Sequence, residues 1–315
     1  MGGRASRLSS TNFASIRHSE LILSGIKPTG VLHLGNYFDA IQPWLKIQNI
    51  LSSIPRNRPV HFLNYPIPTI PFYLGISDMH AISLGPVEAD KLRGDVFNTA
   101  ASLIAAGIDP STTVLFRMST IPEIAKLSGI LGSLPTADGL TQCKDNSESG
   151  SLSNPMLQAA SVLAFRATYL ANGSDQREHM SLIIKLIALT DMAWRKNIFK
   201  IPHDFGSPPF AVKQKMNNSD CSVRGRINLT DDVDTIADKY WKAQSDAEPG
   251  IKYDRTDVAS LVNITEAVIA PIRDRYETIT KDPQEVYRIL ETNEEKARAT
   301  VSDTMKIVLK AVGSR

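Results

Sequence analysis

The stretch Leu21-Ile22-Leu23-Ser24-Gly25-Ile26-Lys27-Pro28-Thr29-Gly30-Val31-Leu32-His33-Leu34-Gly35-Asn36 decides the fold. Its first three residues are a short apolar run closed by Ser24 and Gly25, which reads as a buried strand. Lys27 to Gly30 form a loop, and Leu34, Tyr37, Phe38, Ile41 and Leu45 then recur at helical spacing. A helix that starts at the carboxyl edge of a strand presents free N–H groups and a favourable dipole, a ready site for phosphate. Gly30 and Gly35 let backbone and ligand approach closely. His33 and Asn36 can donate hydrogen bonds to phosphate oxygens as charge develops there. The blander alternative, that His33 only caps the helix, fits less well with Gly and Asn at these offsets. The segment is neither a P-loop nor a dinucleotide fingerprint, so a nucleotide would be held in another manner.

Outward from this stretch, strand signals alternate with long helical ones. Residues 72–76 and 114–116 read as strands, and residues 90–106 as a helix that Gly107 caps. Residues 155–165 and 176–194 read as helices, with a short extended piece at Tyr169-Leu170 between them. Pro43 is expected to kink or restart the helix in which it lies. This alternation predicts an α/β fold with a doubly wound, Rossmann-type parallel sheet over residues 20–230. From Asp231 the strand signals fade, and residues 231–315 read as a smaller helical domain. It closes on an amphipathic helix marked by Val286, Leu290, Ala297, Val301, Met305 and Val308. Residues 52–71 hold Pro55, Pro59, Pro66, Pro68 and Pro71 with neither period, and read as an atypical, structureless insertion.

Composition narrows the class. The 315 residues are 42% hydrophobic and 22% charged, which excludes disordered, collagenous and coiled-coil chains. Lys+Arg 35 against Asp+Glu 33 leaves a net charge of +2, so nucleic-acid contact must come from local patches. The basic stretch of Lys213, Lys215, Arg224 and Arg226 reads as a solvated face or as an RNA- or phosphate-facing loop. No apolar run approaches the roughly 18 residues that span a bilayer, so no membrane role is expected. Cys143 and Cys221 can build neither a disulfide framework nor a four-ligand zinc site, and His18, His61 and His203 lack metal spacing, so no metal site is expected. Trp44, Trp194 and Trp241 read as core or helix-packing residues. Residues 1–19 carry arginines and serines without an acid, which reads as a mitochondrial presequence or a disordered tail.

The segment Pro28-Thr29-Gly30-Val31-Leu32-His33-Leu34-Gly35-Asn36-Tyr37 resembles the HIGH-type motif of class I aminoacyl-tRNA synthetases, in the HxGN form of tryptophanyl-tRNA synthetases. The likeness continues in order to about residue 313. Asp78-Met79-His80-Ala81-Ile82 resembles the family's loop near the amino-acid pocket, and Leu140-Thr141-Gln142-Cys143-Lys144-Asp145 its TQ-x-KD segment. Pro155-Met156-Leu157-Gln158-Ala159-Ala160 resembles its LQAAD helix, and Gly173-Ser174-Asp175-Gln176 with His179 its G-x-DQ-xx-H element. Lys215-Met216-Asn217-Asn218-Ser219-Asp220 occupies the place of KMSKSD. Residues 228–232 and 271–276 also have family counterparts.

The resemblance implies ATP-dependent activation of tryptophan to the adenylate, with magnesium, and transfer to tryptophan tRNA by a homodimer. It implies catalytic roles for His33, Asn36 and Lys215. It implies ATP contacts at Gly25, Lys27, Thr29, Gly30, His33, Gly35, Asn36, Asp175, Lys215, Met216 and Ser219. Amino-acid contacts are implied at His80, Gln158, Ser161, Asp175 and Gln176, and anticodon reading in the helical domain. With the basic start, it implies the mitochondrial matrix, with the cytoplasm as the alternative. Several positions depart from the family pattern. Asn217 and Asn218 stand where the motif has serine and lysine, Asn146 stands where a phosphate-contacting lysine is usual, and Ser161 stands where an aspartate accepts the indole N–H. Two readings follow: an active tryptophan–tRNA ligase, or an impaired relative that keeps tRNA or partner binding. An insertion at residues 52–71 and deletions between Ser147 and Pro155 and between Glu266 and Pro271 also fit an imperfect gene model.

Overall fold

The computed structural model describes residues 20–28, 30–53, 60–62, 65–67, 70–83, 85–134, 153–171, 177–204, 226–243 and 255–314. Strand β1 (Ile22–Ile26) is the apolar run of the opening stretch, and it is the middle strand of a five-stranded parallel sheet. On one side lie β4 (Phe72–Ile76) and then β5 (Thr113–Arg117); on the other lie β6 (Tyr169–Leu170) and β7 (His203–Asp204). The register runs Ile22 to Phe72 and to Tyr169, Gly25 to Gly75, and Phe72 to Thr113. The strand order therefore reverses at β1, and its carboxyl end lies at the switch point where open α/β sheets carry their binding crevice.

Alternation along the strands divides the core. Leu21, Leu23, Tyr73 and Phe116 face one side, packed by α5 (Pro122–Gly132), α6 (Ser153–Phe165) and α7 (Arg177–Trp194). Ile22, Phe72, Leu74, Ile76 and Leu115 face the other, with α2 (Gln42–Ser53), α4 (Ala89–Ala106) and α9 (Arg255–Thr280). Both faces are buried, as an all-parallel sheet requires. Tyr73, Phe116 and Phe165 form an aromatic trio with centroids 5.2 to 6.4 Å apart.

The first helix begins as a single turn, α1 (Leu34–Asn36), and passes through a π-turn (Tyr37–Ile41) into α2. Pro43 thus sits just after the π-turn, a local change of winding that accommodates a proline within a continuous helix. Gly107 caps α4 with a φ of 114°, as its sequence position predicts. Gln48 joins α2 to that cap: its Nε2 donates to the Gly107 carbonyl (3.0 Å) and its Oε1 accepts from Asp109 N (2.8 Å).

Residues 52–71 are not structureless. They include the end of α2 and two short antiparallel strands, β2 (Val60–Phe62) and β3 (Tyr65–Ile67), with Val60 opposite Ile67. Strands of three residues are too short to show a period. A two-stranded ribbon also tolerates Pro66, because each strand has an unpaired edge. Trp241 departs from its expected packing as well: it is 44% exposed on α8 (Val233–Ala243), whereas Trp44 is buried and donates Nε1 to the Ala171 carbonyl at 3.2 Å.

The last helix, α10 (Pro283–Ala311), is amphipathic as predicted, and it belongs to the core of the sheet. Val286 and Leu290 pack with one cluster, and Ala297, Val301, Met305 and Val308 with the other. Glu294, buried on α10, receives Arg117 from the end of β5 in a bidentate pair of 2.6 and 3.0 Å. The Glu294 hydrogen bond holds the Arg117 pKa above its ordinary value. Among the described residues, no helix is long and apolar enough to cross a membrane. Removing one partner of a largely buried pair strands the other charge, so Arg117→Ala is expected to cost about 3 kcal/mol of stability. Urea unfolding of the two proteins measures this directly.

Candidate active site

The crevice beyond β1 collects the described residues that the sequence pattern singles out. Gly25 is exposed at the carboxyl end of β1, Lys27 follows it half-buried, and Gly30 takes a φ of 97° that only glycine adopts without strain. A Cβ on Gly25 would meet Ser77 Oγ at 3.1 Å and Met118 Cε at 3.2 Å, so a side chain there would crowd the floor of the crevice. Gly35 lies half-buried inside the first helical turn.

His33 caps that turn after all. Its Nδ1 accepts from Asn36 N at 3.2 Å, and Asn36 Oδ1 accepts from His33 N at 3.1 Å. The opening of a helix leaves backbone N–H groups to satisfy, and the imidazole does this with one nitrogen. The cap also fixes the tautomer. A neutral ring that accepts at Nδ1 carries its proton at Nε2, a donor. Capping through Nδ1 and an N–H at Nε2 are therefore compatible in one ring.

A second segment closes on this one. Leu34 N donates to the Ile227 carbonyl and Leu229 N to the Leu32 carbonyl, each at 2.8 Å, which pairs His33 with Asn228 in an antiparallel bridge. Asn228 is held in turn by Asp231, whose Oδ2 accepts from Asn228 N (2.7 Å) and from Lys239 Nζ (2.5 Å). Arg273 donates to the Asp231 carbonyl at 2.7 Å and grips Glu266 at 2.5 Å. The stretches at 228–232 and 271–276, read only as motif matches, are the clamp that ties the crevice to α9.

The opposite wall is α3 (Asp78–Ser83), which packs on α6. The buried Asp78 carboxylate accepts from Met79 N at 3.0 Å, from Ser119 N at 2.8 Å and from the Ser119 hydroxyl. This fixes the start of α3 and so the position of His80, which is 4% exposed. Burial, and then the positive charges of Lys27 and His179, lower the His80 pKa from 6.5 to about 4. His80 is thus a neutral imidazole at pH 7, and its buried Nδ1 has no hydrogen-bond partner among the described residues. On α6, the buried Ser161 donates its hydroxyl to the Gln158 carbonyl at 2.8 Å, which leaves the oxygen able to accept.

The structure thus brings Gly25, Lys27, Gly30, His33, Gly35 and Asn36 to the carboxyl end of β1, and His80, Gln158 and Ser161 to the adjoining helices α3 and α6. Thr29, Asp175, Gln176, Lys215, Met216 and Ser219 lie outside the described residues, as do Lys144, Asn146, Asn217, Asn218 and both cysteines. Asp78 and Asn228 were read as motif positions without a role. Their signal was a polar residue beside an apolar run, which is too common to single out.

The profile of the family described as tRNA synthetases class I (W and Y) matches residues 17–310. The chain belongs to this family of class I tRNA synthetases. It is 35% identical over 346 aligned positions to the mitochondrial tryptophan–tRNA ligase of Caenorhabditis elegans, covering 94% of this chain and 92% of that one. It is 28% identical to the tryptophan–tRNA ligase of Rickettsia conorii, covering 93% of this chain and 98% of that one. Its fold superposes on the tryptophanyl-tRNA synthetase of Campylobacter jejuni complexed with ADP and tryptophan with a TM-score of 0.72, at 20% identity, covering 93% of this chain and 99% of that one.

The state of His80 sets a pH dependence. Below pH 6.5 the unfolded chain binds a proton that the folded chain refuses until about pH 4. Stability is therefore expected to fall by about 3 kcal/mol as pH drops through that window. The loss should disappear in His80→Asn, as denaturant melts of both proteins at several pH values would reveal.

Proposed function

We propose that this chain is a tryptophan–tRNA ligase. The observation that carries the reading is the His33–Asn36 cap, which aims an imidazole Nε2 donor from the carboxyl end of β1 and is braced by Asn228, in a chain of this family. The 35% identity to a protein named as a mitochondrial tryptophan–tRNA ligase supports the choice of tryptophan, as does the named ADP and tryptophan complex of a protein with this fold.

In the first step a carboxylate oxygen of tryptophan attacks the α-phosphorus of ATP. The bond to the β-phosphate breaks and pyrophosphate leaves with its negative charge. Such a step depends on positioning and on donors aimed at the developing charge. His33 and Asn36 donate there, Lys215 neutralises the leaving pyrophosphate, and Gly25 and Gly30 admit the nucleotide closely. Asp175 and Gln176 hold the ribose and the substrate amino group, while His80, Gln158 and Ser161 receive the amino acid. A ribose hydroxyl at the 3′ end of tRNA then attacks the adenylate carbonyl and AMP departs. Magnesium enters with ATP, on its phosphate oxygens, as this ion usually does.

The remaining parts of the proposal follow the relatives. The segment 20–230 is the catalytic unit, residues 231–315 read the anticodon, and residues 1–19 direct the chain to the mitochondrial matrix. The working form is a homodimer. A second reading, a relative that binds tRNA without catalysis, is favoured by Asn146, Asn217, Asn218 and Ser161, which remove two cations and one carboxylate from the family pattern.

ATP–pyrophosphate exchange separates the two. The proposal expects exchange with tryptophan and none with tyrosine, and a gain of about a hundredfold on Asn218→Lys, the size of one preorganised charge contact. Exchange with neither amino acid, alongside tight tRNA binding in a filter assay, would give the second reading.

A further inference from the structure

The bridge between His33 and Asn228 fixes the direction of one more side chain. Leu34 N to Ile227 O and Leu229 N to Leu32 O are the two bonds that flank a non-bonded antiparallel pair, so His33 and Asn228 lie on the same face. Side chains alternate along extended backbone. Ile227 and Leu229 are buried in the core with Leu32, on the other face. Arg226, two residues before Asn228, therefore shares the face of Asn228 and His33.

Arg226 is half-buried, and its Nε is shielded from solvent without a hydrogen-bond partner among the described residues. The Asn228 side-chain oxygen on the same face is also buried without one. The neighbouring cations are already committed: Lys239 to Asp231 and Arg273 to Glu266. Asp231, the nearest acid in sequence, is taken up by Asn228 and Lys239. A guanidinium with its Nε shielded, and with no carboxylate bonded to it among the described residues, gains from an anion that completes it. The geometry that places it beside the His33 cap names that anion.

We infer that Arg226 binds the phosphate chain of the nucleotide and supplies a cation in a chain whose Asn217-Asn218 pair carries none. This rests on the nucleotide reading of the His33 face. A guanidinium donates two parallel bonds to phosphate oxygens, which suits a polyphosphate better than a point charge does. The contact is to the phosphates alone, so the adenosine part of the ligand is indifferent to it.

Calorimetric titration of the full chain with inorganic tripolyphosphate, ATP and adenosine tests this, using wild type, Arg226→Gln and Arg226→Lys. Loss of one charge-assisted contact predicts about thirtyfold weaker tripolyphosphate and ATP binding in Arg226→Gln. Adenosine binding and the thermal midpoint should stay unchanged, and Arg226→Lys should recover most of the loss. Equal tripolyphosphate affinity in wild type and Arg226→Gln overturns the inference, as does a wild type that binds no tripolyphosphate. So does a parallel loss of adenosine affinity, which would mark a structural role. Arg226-dependent tripolyphosphate binding in a chain without tryptophan-dependent exchange would sustain the inference while the ligase reading fails. Robust exchange that Arg226→Gln leaves untouched would do the reverse.

Discussion

The burial of β1 on both faces, between β4 and β6, is the constraint on which the rest of the molecule depends. Leu21 and Leu23 fill one side of the sheet and Ile22 the other. A strand so enclosed cannot slip its register without moving every side chain to the wrong face. Its carboxyl end is thereby fixed, and it delivers Gly25, Lys27 and the His33 turn to the place where the strand order reverses. The chemistry of the crevice follows from that delivery.

A second junction lies at the end of β5. Three consecutive residues there serve three different parts of the fold. Arg117 holds Glu294 on α10, Met118 lies over the Gly25 and Gly75 pair of adjacent strands, and Ser119 grips Asp78 at the start of α3. The last helix, the floor of the crevice and the helix that carries His80 are thus joined through one short turn. This accounts for the buried ion pair at the carboxyl end of β5. Its value lies in register, because a hydrophobic pair would pack as well but would not specify which turn of α10 meets β5.

Legibility varied with the length of the signal. The helix ended by Gly107, the strand at residues 72–76 and the amphipathic last helix could be read because each has a period or a cap that local chemistry imposes. The β2–β3 ribbon could not, since three residues carry no period and prolines argued against any strand. Trp241 was expected to pack and is exposed, because size and apolarity do not say which side of a helix meets a neighbour. In the crevice, the HxGN stretch marked the site, but the sequence set capping and ligand binding against each other. The imidazole caps through Nδ1, which leaves the N–H of a neutral ring on Nε2, so the cap does not argue against the ligand reading.

By itself the sequence determined the α/β class, the position of the glycine-containing helical turn after the first strand, and the family to which the chain belongs. These rest on local spacing and ordered motifs, which survive without knowledge of contacts. Only the tertiary structure decided that residues 227–229 pair with residues 32–34 and that His80 is buried neutral near Lys27. Each of these joins segments far apart along the chain or depends on what burial removes from water. Spacing along a sequence carries neither distance across a fold nor dielectric, so such facts enter only when the chain closes on itself.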